Sequence, residues 1–118
     1  MTTSSDKLAE IIAEGMAEKK AHNIRIMDLR NIANAATDFF VVAHGESTTQ
    51  VDAIASSVEQ EVKKITQENV FHKEGANNSE WILLDYFNVV AHVFIKEKRE
   101  FYNIEDLWAD AKITQLDS

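Results

Sequence analysis

Apolar residues recur at helical spacing in two stretches of this chain and alternate along others, and the changes of period mark out its elements. Leu8, Ile11, Ile12 and Met16 follow Ser4, Ser5 and Asp6, a cap with an acidic first turn, so the spacing predicts a helix from about Asp6 to Lys20. Gly15 within it is expected to weaken it slightly. Ile24, Ile26 and Asp28 alternate as a half-buried strand, followed by an irregular stretch from Arg30 to Ala36. Phe39 to Ala43 is continuously apolar, the pattern of a strand buried on both faces. Gly45 ends that strand, and Ser47-Thr48-Thr49-Gln50 reads as a capping box at a helix start. Val51, Ile54, Ala55, Val58, Val62 and Ile65 then form one apolar stripe as far as Gln67, with Asn69 as the expected stop.

The second half of the chain reads as strand. A right-handed crossover would set Val70–Lys73 as a short strand parallel to Phe39–Ala43. After the polar loop from Gly75 to Ser79, Trp81–Tyr86 and Val89–Ile95 form a hairpin joined by Phe87-Asn88, where Asn tolerates the positive φ of such turns. That register places Tyr86 opposite Val89. One face then carries Ile82, Leu84, Tyr86, Val89, Ala91, Val93 and Ile95, a core face. The other carries Trp81, Leu83, Asp85, Val90, His92 and Phe94, large aromatics with one acid and one imidazole, suited to a partly wet interface or to a core closed by a polar pair. Asn103 is expected to cap a last helix through Trp108. The order α β β α β β β α implies an α/β (α+β) fold, a mixed five-stranded sheet flanked by helices.

Composition narrows the function more than the fold. The 118 residues, 45% hydrophobic and 27% charged, suit one domain with a modest core, here taken as residues 1–118. Cysteine is absent, which excludes disulfides and thiolate metal sites, and the N-terminus MTTSSDKLAE lacks the apolar core of a signal peptide. A cytoplasmic protein with no membrane span is therefore expected. A net charge of −8 repels phosphate backbones, so direct nucleic-acid binding is not expected, whereas a basic protein partner is favoured. The one basic cluster, Lys96, Lys98 and Arg99 around Glu97 and Glu100, is nearly self-neutralised and reads as a solvated strand exit.

Catalytic signatures are poor. Gly45-Glu46-Ser47 sits at a strand-to-helix junction but lacks the glycines and lysine of a phosphate-binding loop, so helix capping is the preferred reading. A nucleotidyltransferase would need two carboxylates one residue apart on a strand, and only Asp52 and Asp85 are candidates, separate and unpaired. His22, His44, His72 and His92 show no metal-ligand spacing, so no metal or other cofactor is expected. Asp85 and His92 would be diagonal neighbours on the hairpin, where a carboxylate-imidazole hydrogen bond would favour the charged ring. No nucleophile stands beside them, so the pair reads as structural or as a contact to a partner. Phe101, Tyr102, Leu107 and Trp108 read first as a helix packed on the sheet, and second as interface anchors.

In the segments TDFFVVAHGESTTQVDAIA at residues 37–55 and SEWILLDYFNVVAHVFIKEKREFYNIEDLW at residues 79–108 the chain resembles the Iojap-like ribosomal silencing factor family. The resemblance covers nearly the whole chain. It implies a nucleotidyltransferase-like fold without the active site, and a protein that is not an enzyme. It further implies binding to ribosomal protein L-fourteen on the large ribosomal subunit, blocking subunit association and repressing translation when nutrients fail; a role in large-subunit assembly, and less so a nucleotidyltransferase-like activity, are the alternatives. A homodimer off the ribosome is also implied. Carried over by position, the family's recurring elements fall on Glu80, Trp81, Leu83, Leu84, Asp85, Tyr86, Val90, His92, Phe94, Arg99, Glu100, Phe101 and Tyr102. The expected partner-binding set is Trp81, Leu83, Asp85, Tyr86, Val90, His92, Phe94, Arg99, Phe101 and Tyr102. The chain departs from the family pattern at Phe87-Asn88, where Gly-Asp is common, at His44, where a small residue is usual, and at Ser79, where glycine is common.

Overall fold

In the computed structural model, which describes residues 3–116, the chain runs α1 (Ser5–Glu18), β1 (His22–Asp28), β2 (Phe39–Gly45), α2 (Thr48–Thr66), β3 (His72–Glu74), β4 (Trp81–Asp85), β5 (Val89–Ile95), α3 (Lys96–Tyr102), α4 (Ile104–Leu107) and β6 (Lys112–Gln115). The six strands form one sheet in the order β3-β4-β5-β2-β1-β6. Its centre is the parallel pair β2 and β5, in register from Phe39 opposite Val89 to Gly45 opposite Ile95, and every other pairing is antiparallel. These are the two strands with the least exposure, as a parallel pair covered on both faces requires.

Side-chain alternation sorts the core into two layers. On one face Phe39, Val41, Ala43, Ile82, Leu84, Val89, Ala91 and Val93 meet the apolar stripes of α1 and α2. On the other, Met27, Val42 and Phe94 are covered by Leu29, Ile104 and Ala111, with Phe40, Trp81 and Trp108 packed around them. The hairpin register agrees with expectation: Trp81 lies opposite Phe94, Leu83 opposite His92 and Asp85 opposite Val90.

Capping follows local chemistry. Ser4 Oγ accepts from the Lys7 amide at 3.2 Å to start α1. At α2, Ser47 Oγ accepts from the Gln50 amide at 3.1 Å, while Gln50 Oε1 reaches back to the Glu46 amide at 2.8 Å, one residue earlier than a standard capping box. Gly15 does more than weaken α1. A Cβ there would lie 3.0 Å from Val58 Cα, so glycine permits the close approach of α1 to α2, which Ser57 Oγ seals by donating to Gly15 O at 2.7 Å.

The structure corrects five expectations. The sheet has six strands, because residues 112–115 add to β1 as an edge strand in antiparallel register. β3 is antiparallel to β4 at the opposite edge; its polar, exposed His-Lys-Glu could not occupy the central slot beside β2, which the apolar β5 fills. Helix α2 stops at Gln67, in the left-handed conformation, and not at Asn69. Lys96–Tyr102 is a helix and not a solvated strand exit. Asn103 ends α3 with φ 47° and makes no side-chain cap to the α4 backbone; its side-chain Nδ2 donates to Asp106 Oδ2 at 2.6 Å.

The turn between β4 and β5 also differs in detail. Phe87, not Asn88, takes the positive φ, at 72°. It is held there by four hydrogen bonds: Phe87 N to Asp85 Oδ1 (2.8 Å), Asn88 N to Tyr86 O (2.9 Å), Tyr86 N to Val89 O (2.9 Å) and Thr37 Oγ1 to Phe87 O (2.8 Å). An aromatic residue in this region is strained, and the surrounding bonds over-determine it.

Candidate functional site

The sheet face turned away from α1 and α2 is completed unevenly. Toward β1 it is covered by α3, α4 and the segment before β2, whereas toward β4 the side chains of Trp81, Leu83, Asp85, Val90 and Phe40 stay half-exposed. Alternation along three adjacent strands puts these five on one surface, and the register Phe40 opposite Val90 opposite Asp85 places three of them in a row. Aromatic packing holds the surface together. Trp81 stacks on Phe94 at 4.7 Å between ring centroids and meets Tyr102 at 4.9 Å, while Phe40 contacts the edge of Trp108 at 5.8 Å. Phe40, Val90, Asp85, Phe87 and Trp108 line a shallow cleft of about 290 Å³ at its lower end.

His92 lies beneath this surface, only 5% exposed. Its Nδ1 accepts from Trp81 Nε1 at 3.1 Å, which fixes the proton on Nε2, and Nε2 has no partner among the described residues. Burial pushes the imidazole down to about 4. The expected Asp85–His92 hydrogen bond is absent, because Asp85 Oδ1 turns to the Phe87 amide, and the ring is held neutral by desolvation instead of charged by a carboxylate. Asp85 makes no ion pair among the described residues.

The other expected site residues fall in four places. Phe94 is wholly buried beneath Trp81. Tyr86 is on the helix-covered face, 5% exposed; its hydroxyl finds no described partner, and burial first, then Glu59 and Glu68, push its pKa up. Phe101 and Tyr102 sit at the exposed corner where α3 meets α4, with Leu107 beyond them. Arg99 does not face solvent. It is buried and donates to Glu105 Oε1 (2.6 Å) and Oε2 (3.3 Å), to His22 O (3.2 Å) and to His44 Nδ1 (3.0 Å). Burial pushes Glu105 up, but the hydrogen bonds and charges of Arg99 and Arg25 outweigh it and hold the carboxyl below its ordinary value. Burial, then the neighbouring Arg99 charge, pushes His44 down.

Sequence reasoning passed over Phe40 and Phe87. Phe40 was legible only once β2 was known to pair with β5, and Phe87 only from its turn, where it packs on Phe71 at 4.0 Å with both rings more than half exposed. A second concavity, of about 450 Å³, lies around His22, His44, Arg25, Lys96, Arg99 and Glu105. Its cations and acids are largely matched. Among the described residues no group of three or more His, Asp or Glu is placed to hold a metal ion, and Asp52 and Asp85 lie on opposite sides of the sheet. No described helix is long and apolar enough to cross a membrane.

Fold and surface together define a small α+β protein built on a mixed sheet, with two helices on one face and an aromatic patch on the other. A crystal structure of a Chromobacterium violaceum protein has the same architecture: it superimposes with a TM-score of 0.85 at 28% identity, covering 98% of this chain and 95% of that one. The sequence profile described as "Ribosomal silencing factor during starvation" matches residues 2–118, and the chain belongs to this family of Iojap-like ribosomal silencing factors. The ribosomal silencing factor of Halalkalibacterium halodurans is 37% identical over 97% of this chain and 96% of its own length, and that of Bacillus subtilis is 39% identical over 93% and 92%.

Proposed function

We propose that this protein silences translation by docking its half-exposed aromatic sheet face onto a basic protein of the large ribosomal subunit, ribosomal protein L-fourteen, so that its bulk keeps the small subunit from joining. The observation that carries this reading is the row of Phe40, Val90 and Asp85 beside Trp81 and Leu83, an apolar surface with one carboxylate that makes no ion pair among the described residues, on a chain of net charge −8. Aromatic anchors supply desolvated contact area, and the charge steers the molecule toward a basic surface and gives an Arg or Lys of the partner a counter-ion. A stable interface takes about 800 Å² from each partner. That is a modest fraction of the 6782 Å² this molecule exposes, so one face suffices. The mechanism needs no turnover, cofactor or nucleic-acid contact, and it operates in the cytoplasm. Free of the ribosome, a second copy is expected to cover the same aromatic face, which makes self-pairing and docking competitors.

Density-gradient sedimentation with separated ribosomal subunits tests the reading. The parent protein is expected to travel with large subunits and to prevent their reassociation with small ones, whereas Trp81→Ala or Asp85→Lys stays at the top of the gradient with its circular dichroism unchanged. Variants that co-sediment like the parent would show that this face is not the docking surface. Large subunits that bind the protein and still reassociate would favour a role in their assembly instead.

A further inference from the structure

The corner between α3 and α4 presents Phe101, Tyr102 and Leu107, which are 77%, 46% and 76% exposed, next to Trp81 and Trp108. Helices of seven and four residues do not hold themselves in water, so something else must fix this corner. Only Ile104 is buried from α4, and Trp108 is half-buried behind it. Beyond the Tyr102–Trp81 and Trp108–Phe40 ring contacts, the attachment is ionic. Arg99 of α3 clasps both oxygens of Glu105 in α4, across the left-handed hinge at Asn103 (φ 47°). The same guanidinium reaches the sheet at His22 O and His44 Nδ1, and Glu105 is shared with Arg25 of β1 at 3.4 Å, whose Nε donates to Gln115 of β6 at 3.2 Å.

We propose that Arg99 is the positioning residue of the docking surface: through Glu105 and His44 it locks the Phe101–Leu107 corner onto the sheet, so that the corner's aromatic and aliphatic side chains meet the partner together with Trp81. The proposal rests on the docking reading above. Its logic is geometric. One planar donor group with donors pointing in several directions ties two short helices to two strands, which a lysine, a point charge on a flexible stem, cannot reproduce. Because Arg99 donates to Nδ1 of His44, that ring must be neutral with its proton on Nε2, and the clamp therefore includes an imidazole that works as an acceptor.

Removing Arg99 alone would also leave the buried Glu105 with only the longer, partly exposed contact to Arg25 at 3.4 Å, which destabilises for reasons unrelated to docking. The decisive comparison therefore sets Arg99→Met and Arg99→Lys beside the double variant Arg99→Met with Glu105→Gln, in which no buried charge is stranded and only the partly exposed Arg25 loses a partner. Amide hydrogen exchange and sedimentation with large subunits are measured on each full-length protein. The double variant is expected to unfold nearly as late as the parent, yet to exchange faster at residues 100–110 while β4 and β5 stay protected, and to bind large subunits about tenfold or more weakly, the usual scale for losing anchors at an interface. Arg99→Lys should fall between. If the double variant recovers both slow exchange and binding, Arg99 serves stability alone and the proposal is wrong. Faster exchange with unchanged binding would equally overturn it, since the corner would then have no part in docking. A parent protein that fails to sediment with large subunits sinks the functional reading and the docking role of the corner with it, while the exchange pattern separately shows whether Arg99 holds the corner in place.

Discussion

The two faces of the sheet are made by the same strands and solve different problems. Against α1 and α2, Ile82, Leu84, Ala91 and Val93 are wholly sealed, and among the described residues the one buried side-chain polar atom of this layer that lacks a partner is the Tyr86 hydroxyl at its rim. One residue along in each strand, Trp81, Leu83, Val90 and His92 form a layer of aromatics, a neutral imidazole and an exposed edge. The first face is a stability device. The second carries a strained turn at Phe87 and an unpartnered His92 N–H, costs that a layer built only to be stable would shed.

Leu83 and Leu84 separate the two roles most sharply, because they are adjacent and point to opposite faces. Leu84→Ala removes a fully buried side chain and is expected to cost about 3 kcal/mol or more in urea unfolding, whereas Leu83→Ala costs about 1 kcal/mol or less and weakens retention by large subunits instead. Equal losses in stability would erase the contrast between the faces.

His92 gives the aromatic face an acid-range pH signature, where the buried Tyr86 of the helix-covered face is shifted only in the alkaline direction. The ring is pushed down to about 4 in the folded protein and titrates near 6.5 when unfolded, so below about 6.5 the unfolded chain takes up a proton that the folded one refuses. Stability contributed by this site is complete above that value and is lost as pH falls toward 4, by on the order of 3 kcal/mol. Urea midpoints compared between the parent and His92→Phe at pH 7 and pH 4.5 measure it; the parent should fall further. A parallel decline in the two proteins would mean that other carboxylates and imidazoles carry the acid sensitivity.

The smallest effect concerns the turn. Phe87→Gly releases a bulky residue from φ 72° and is expected to raise stability by about 1 kcal/mol. The same change should weaken docking, because it removes one wall of the cleft around Phe40 and Trp108. Calorimetric melting and sedimentation read the two outcomes, and a loss of stability would show that the contact with Phe71 outweighs the strain.

Much of this was legible along the chain, and the exceptions share a cause. The period-two alternation of 81–95 gives the hairpin register and both its faces, and Ser47 with Gln50 marks the start of α2, because each is set by neighbours in sequence. Residues 112–115 are all exposed and carry a single large apolar side chain, Ile113, so β6 is created by the free edge of β1 and not by any pattern of its own. The role of Arg99 was hidden for a similar reason. Its partners His22, His44 and Glu105 come from three different elements, and the alternating charges around it look like a solvated stretch until the fold brings them together. The Asp85–His92 pair failed because proximity on a pleat does not decide which donor a carboxylate chooses: the amide of Phe87 was nearer in sequence and already fixed.

The outermost strands, β3 and β6, contribute three and four residues, all exposed and rich in His, Lys, Glu, Thr and Gln. Such blunt borders offer another polypeptide almost no ladder to extend, which guards a crowded cell against open-ended stacking of copies.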